Sequence, residues 1–228
     1  ASGAGKSSLV GLLLGWHRAA SGSVFVDGVQ LDDALLDQLR PRIAWVDPAV
    51  QLWNRPLADN LRYGLPDSPH MPIESAIDAA ELARVIERLP NGLQTPLGEA
   101  GGLVSGGEGQ RVRLGRALLR PGVRLAILDE PFRGLDLEQR RKLLACSREI
   151  WRAATLLAIS HDIAEAMTFE RILVLEDGRI VEDGDPRVLA SDAESRFHAM
   201  LEAERLVREE FWNGPQWRHL HLNHGQLS

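Results

Sequence analysis

Cysteine is nearly absent: Cys146 is the only one in 228 residues. That excludes an internal disulfide and a cysteine-rich metal site, and it suits a reducing compartment. Long apolar runs are missing as well, none approaching the ~20 residues that span a bilayer, so work at a membrane would need another segment to insert. Positive charge is in deficit. With 26 Lys and Arg against 32 Asp and Glu, the formal charge is -6, which argues against a nucleic-acid partner bound by broad phosphate neutralisation. Internal repeats and low-complexity segments are lacking too. What is present is 44% hydrophobic residues, enough to bury a core in one large domain or two modest ones. Cys146 reads as buried filler on a helix.

The pattern along the chain alternates. A glycine-rich turn runs from Ala1 into a helix that places Leu9, Leu12, Leu13 and Trp16 on one face. Ser23 to Val26 and Ile43 to Val46 read as strands, with a short helix from Leu35 to Leu39 between them. From Pro56 to Pro90 the Ala, Leu and Glu content and the spacing of Ile73, Ile77 and Ala80 predict an inserted helical subdomain. A second glycine-dense turn, Gly101 to Gly107, leads into a helix ending near Pro121. Then come strand Leu125 to Leu128, helix Leu137 to Trp151, strand Thr155 to Ile159 and helix Ile163 to Phe169, the order of an α/β layer with a parallel sheet. Ile172 to Leu175 and Arg179 to Val181 flank the turn Glu176-Asp177-Gly178, a hairpin signal. After Pro186 a charged helix is expected to carry Phe197, Met200, Leu201, Val207 and Phe211 on one side.

Two motifs carry phosphate chemistry. Ala1-Ser2-Gly3-Ala4-Gly5-Lys6-Ser7 fits all but the first residue of the P-loop pattern, with Ser8 following it. In that pattern Gly3 and Gly5 let the backbone approach phosphates, Lys6 reaches the β and γ oxygens, and the Ser7 hydroxyl is offered to Mg²⁺. Leu125 to Leu128 then delivers Asp129 and Glu130 at a strand end, where open α/β sheets place ligands. One carboxylate is suited to holding the metal and the other to polarising an attacking water. Together the motifs imply nucleotide hydrolysis with Mg²⁺, not merely binding. His161, two residues beyond the strand ending at Ile159, also sits at a strand end; alone it reads as a loop or capping histidine, and its place in the strand order points it at the phosphate.

Val104-Ser105-Gly106-Gly107-Glu108-Gly109-Gln110-Arg111 resembles the signature sequence of ATP-binding cassette ATPases, one helix ahead of the carboxylate strand. At a helix N-terminus Ser105 and the amides of Gly106 and Gly107 make a second phosphate-binding surface. The resemblance runs from residue 1 to about 190. It implies a P-loop NTPase of the α/β class, with a mainly parallel, RecA-like sheet and a helical subdomain at about 52–120, followed by a helical tail at 191–228. It implies catalytic roles for Glu130 and His161, nucleotide binding by Ser2, Gly3, Ala4, Gly5, Lys6, Ser7 and Ser8, and Mg²⁺ at Ser7 and Asp129. Val104 to Glu108 would serve the ATP of a second nucleotide-binding domain, homo- or heterodimeric, and Asp136 would be the D-loop contact across that dimer. Thr95 to Gly101 and Leu57 to Gly64 look like exporter segments. The expected function is therefore the motor domain of an exporter on the cytoplasmic face of a bacterial inner membrane, beside a transmembrane domain fused upstream. A soluble cassette ATPase of DNA repair or translation and a non-hydrolysing nucleotide switch stand as alternatives.

The chain departs from the family in three ways. Pro48 falls where a glutamine ligates Mg²⁺, leaving Asp47 or Gln51 in a shifted loop as substitutes, or Gln51 as a plain surface residue. Glu108 stands where glutamine is usual and adds charge near the phosphate surface. The strand ahead of the P-loop, with its adenine-stacking aromatic, is not in the sequence, and the expectation is a fragment of a longer protein. In the tail, Trp212, Trp217, His219, His221 and His224 invite a metal site, against which a docking segment is the stronger reading.

Overall fold

The structure, a computed structural model, describes residues 4–65, 71–213, 222–223 and 226–227, with side chains described up to residue 207. The chain divides into two compact units, Ser7–Ile159 and a second made of Ala1–Lys6 with Ser160–Ser228.

The larger unit is built on a parallel sheet. Strands β3 (Ile43–Val46), β4 (Leu125–Asp129) and β5 (Thr155–Ile159) lie in the order β3-β4-β5, with Val46 beside Leu128 and Asp129 beside Ile159. β4 is central. Ala126, Ile127 and Leu128 are all fully buried, as a strand covered on both faces requires, and this is why its sequence is a continuous apolar run. Helix α1 (Lys6–Leu13) leads into this unit, where Val10 and Leu14 pack with Ile43, Ile127 and Ile159. Leu9, Leu12 and Leu13, expected on one face with Trp16, are partly buried, whereas Trp16 is 57% exposed. The helix stops at Leu13, and Gly15 at φ +74° turns the chain so that the Trp16 amide bonds back to Gly11 O at 2.8 Å and the Gly15 amide to Leu12 O at 3.2 Å. That Schellman closure takes Trp16 off the helical projection. The strand expected at Ser23–Val26 is shorter, Phe25–Val26 (β1), pairing with Val29–Gln30 (β2) across Asp27-Gly28, both at positive φ.

Helices α2 (Asp33–Leu39), α3 (Leu57–Arg62), α4 (Ile73–Ala79), α5 (Ala83–Arg88), α6 (Gly106–Leu118) and α7 (Leu137–Ile150) complete the unit. Leu57, Leu61, Ile77, Leu82, Val85 and Val112 belong to one apolar cluster, which joins α3, α4, α5 and α6. Cys146, on α7, is half-buried, and burial pushes its thiol up.

In the smaller unit β6 (Ile172–Glu176) and β7 (Arg179–Gly184) form an antiparallel hairpin whose loop residues Asp177 and Gly178 both have positive φ, the two-residue turn that suits strand twist. α8 is Ile163–Ala166, shorter than expected, because the amides of Thr168 and Phe169 bond three residues back, to Glu165 and Ala166, instead of continuing the α pattern. α9 (Pro186–Ser191) and α10 (Arg196–Asn213) follow. Phe197 is buried against Ile172 and Val174, with Leu201 beside them. Met200 and Val207, expected on that side, are exposed, since they project some 60–80° around the helix from Phe197 at ~100° per residue; the side chain of Phe211 lies outside the described residues, as do those of Trp212, Trp217, His219, His221 and His224. A short pair, β8 (Leu222–Asn223) and β9 (Gln226–Leu227), comes last. Among the described residues no helix is long and apolar enough to cross a membrane.

Candidate functional site

Asp129 and Glu130 stand at the C-terminal end of β4, both half-buried. Glu130 is the first residue beyond the strand, and its amide still bonds to Ile159 O of β5 at 3.0 Å. Its φ of +45° puts a non-glycine residue in the left-handed region, at a cost of about 1–2 kcal/mol. Its carbonyl accepts from the Arg133 amide at 3.4 Å and from Gln110 Nε2 at 3.5 Å, and Arg133 Nη1 lies 3.9 Å from Glu130 Oε2. Ser7 and Ser8 are exposed in the first turn of α1, whose Val10, with Leu14 just beyond the helix, packs in one cluster with Ile127 of the same strand. The larger unit thus offers hydroxyl and carboxylate oxygens from α1 and β4.

The remaining described residues of the glycine-rich turn belong to the smaller unit. Ala4 is buried, and its carbonyl accepts from the Gly178 amide at 3.2 Å. Gly5 has φ +96°, and a Cβ there would meet Gly178 Cα at 3.4 Å, so this position needs glycine for its backbone conformation. Lys6 opens α1. His161 is exposed, between Ser160, whose hydroxyl accepts the Asp162 amide at 3.1 Å, and Asp162, which caps α8 through the Glu165 amide. Ser2 and Gly3 lie outside the described residues.

The segment resembling the signature is a capped helix start. Ser105 is the N-cap of α6: its Oγ accepts the Glu108 amide at 3.3 Å, and Glu108 Oε2 accepts the Ser105 amide at 2.8 Å, a reciprocal capping box. Ser105 and Gly106 are exposed, and Gly107 is half-buried. A Cβ on Gly107 would come within 2.7 Å of Leu135 Cδ2 and 3.4 Å of Gly134 O, so the helix start rests against the turn that precedes Asp136. Asp136 caps α7 through the Gln139 amide at 2.8 Å.

The charge added by Glu108 is compensated. Arg88 Nη2 donates to its Oε2 at 2.6 Å. Burial works to raise this carboxyl, but the Arg88 bond, the Ser105 amide and hydroxyl, and the Arg88 charge together hold it below the usual carboxylate range. Nothing in the sequence marks Arg88, twenty positions earlier, as its partner. Gln110 was equally silent: it is 4% exposed, and its Oε1 has no hydrogen-bond partner among the described residues, an omission costing about 1–3 kcal/mol.

Pro48 builds a tight turn. Asp47 Oδ1 accepts the Ala49 amide at 2.5 Å and the Val50 amide bonds to Asp47 O at 3.0 Å, with proline at the second turn position where its fixed φ fits. Gln51 is exposed. Two arginines of α6 fasten this segment. Arg113 Nε donates to Val50 O at 2.6 Å, and Arg116 donates to Asn60 O at 2.7 Å and Gln51 O at 3.3 Å while lying over the rings of Trp53 and Tyr63. Burial, then the neighbouring Arg113, pushes Arg116 down to about 10, so it stays charged at neutral pH.

Ser7 and Asp129 carry hydroxyl and carboxylate oxygens, the donor type that suits Mg²⁺. Among the described residues no three His, Cys, Asp or Glu side chains are gathered for a metal, and Mg²⁺ is commonly held by one or two protein oxygens together with substrate phosphates.

The sequence profile of ABC transporters matches residues 1–133. The chain is 39% identical over 183 residues to an ATP-dependent lipid A-core flippase of Chromohalobacter salexigens, covering 80% of this chain and 31% of that protein. It is 39% identical over 202 residues to the protein of the same name from Pseudomonas aeruginosa, covering 87% and 33%. It therefore spans about a third of the length of the curated relatives it matches. Among solved structures, a bacterial Atm1-family ABC exporter with ATP bound superposes with a TM-score of 0.83 at 29% identity, over 90% of this chain and 35% of that one. The parallel sheet and its helices are thus those of a P-loop NTPase, and the chain belongs to the ABC transporter family.

Proposed function

We propose that this chain is the ATP-hydrolysing motor of an exporter, with residues 1–190 as the ATPase domain, the helical part at about 52–120 inserted in it, and 191–228 as a tail. The observation that carries the hydrolytic reading is the delivery of Asp129 and Glu130 together at the C-terminal end of the central parallel strand. Asp129 and Ser7 would hold Mg²⁺, which supplies neutralisation of the charge between phosphates. Lys6 and the loop amides from Ser2 to Ser8 bind the phosphate chain, Glu130 orients and polarises the attacking water, and His161 contacts the transferred phosphate.

Ser105 to Gly107 complete the site of a second nucleotide-binding domain, with Val104 and Glu108 flanking them and Asp136 at the same interface. ATP closes the two domains and hydrolysis reopens them. Tyr63, 53% exposed beside Trp53, together with exposed Glu99 and Leu103, supports the helical part as what meets the membrane domain on the cytoplasmic side. Since the relatives are lipid A-core flippases, a lipid-linked substrate is the first to offer.

Steady-state ATPase activity of the full-length protein in lipid tests the reading. Glu130→Gln should lower kcat by roughly 10²–10⁴-fold while ATP still binds. ATP binding with no turnover in the unaltered protein would favour a nucleotide switch instead.

A further inference from the structure

The carboxylate at position 130 needs its backbone held in an unfavourable place. Glu130 sits at φ +45°, which an L residue other than Gly, Asn or Asp seldom keeps without outside support. Its amide is fixed by Ile159 O at 3.0 Å. Its carbonyl is met from inside the chain by the Arg133 amide and from a different element by Gln110 Nε2. Gln110 belongs to α6, the helix that Ser105 caps, and is nearly sealed from water at 4% exposure.

A leucine or methionine would fill that space without an oxygen lacking a partner, so burial does not explain a glutamine there. What the amide provides is a donor aimed at the carbonyl of a residue whose backbone is strained. The same helix meets this loop a second time, where Gly107 rests against Gly134 and Leu135. α6 therefore braces the 130–135 loop at both ends.

We infer that Gln110 is a positioning residue for Glu130: its amide, delivered by the signature helix, holds the left-handed backbone that aims the carboxylate at the attacking water. The inference rests on the proposed catalytic role of Glu130. It follows that the helix presenting a phosphate-binding surface at Ser105 to Gly107 also sets the base geometry within its own chain.

Gln110→Met, with its similar length and no polar atoms, separates positioning from packing. In the full-length protein in lipid vesicles, kcat for ATP should fall roughly ten- to a hundredfold, with KM for ATP unchanged and the thermal midpoint no lower than that of the unaltered protein. Unchanged kcat would overturn the inference, and so would a rise in KM alone or a loss of rate that merely tracks a lowered midpoint. Glu130→Gln, measured in parallel, keeps the two readings apart. If it retains activity, the catalytic assignment itself fails, whereas an inactive Glu130→Gln beside a fully active Gln110→Met removes only the positioning role.

Discussion

Removing one half of the Arg88–Glu108 pair should not equal removing the other, because the two side chains differ in burial. Glu108 is 8% exposed and also accepts the Ser105 amide, so Arg88→Met strands its charge with only part of its compensation. Glu108→Gln keeps an acceptor for that amide and releases Arg88, whose side chain is 59% exposed, into water. Arg88→Met is therefore expected to lower the melting midpoint by roughly 2–4 °C, and Glu108→Gln by less. The pH dependence has a definite sign. The Glu108 carboxyl is held below its ordinary value, so the pair's contribution is complete above the unfolded glutamate pKa of about 4.3 and is lost as pH falls through the lower folded value. Without Arg88 only the Ser105 amide and hydroxyl oppose burial, so the carboxyl lies higher in the variant than in the parent and the variant loses less stability on acidification. Melting curves at pH 7 and pH 4 should show the gap closing; a constant gap would assign the loss to packing.

At the scale of elements, α10 starts with an external cap. Ser195 Oγ accepts the Phe197 and His198 amides at 3.1 and 3.3 Å, and Glu182 of β7 accepts the amides of Arg196 at 2.6 Å and Phe197 at 2.9 Å, with Arg196 also held by Glu176. The first turn's orphan donors are thus satisfied by a carboxylate from the hairpin, which ties helix to strand. Glu182→Ala should cost about 1 kcal/mol and appear as faster amide exchange across residues 196–201, with the β3-β4-β5 sheet unchanged. Exchange that rises equally in both units would contradict a local role. Such long-range caps were invisible in the sequence, because Glu182 lies fifteen positions from Phe197. What was legible were elements whose pattern is local: β3 and β5 fell where expected and β4 ended one residue later, with Asp129 as its last residue. The failures were also physical. Trp16 left the α1 face because Gly15 turned the chain, and α8 shortened because its last turn adopted three-residue bonds. In the site, the glycine and carboxylate motifs could be read from spacing, whereas Arg88 and Gln110 act through contacts twenty residues away that no spacing rule reaches.

For the whole molecule, the decisive question is whether Ser105 serves the nucleotide of its own chain or that of a partner. Ser105 and Gly106 are exposed at the start of α6, while the inner flank of that helix start is occupied by Leu135 and Gly134 of the same chain. This leaves the amide-bearing end facing outward, consistent with a phosphate brought by another copy. Two substitutions in two copies decide it. If Ser105 acts across the interface, a dimer with Ser105→Arg in one copy and Glu130→Gln in the other concentrates both lesions in one composite site. The other site keeps its own Glu130 and an unaltered signature. A dimer with both changes in the same copy spreads them, one per site, and has no intact site. The first arrangement should retain ATP turnover, up to about half that of the unaltered dimer if the sites work independently, and the second should have none. If Ser105 instead serves its own chain, the order reverses, because both changes in one copy then leave the other copy whole. Purifying each mixed dimer through two different affinity tags and measuring phosphate release distinguishes the two; equal activities near half that of the unaltered dimer would mean that Ser105 serves neither site, and two inactive dimers would mean that one lesion stops both sites.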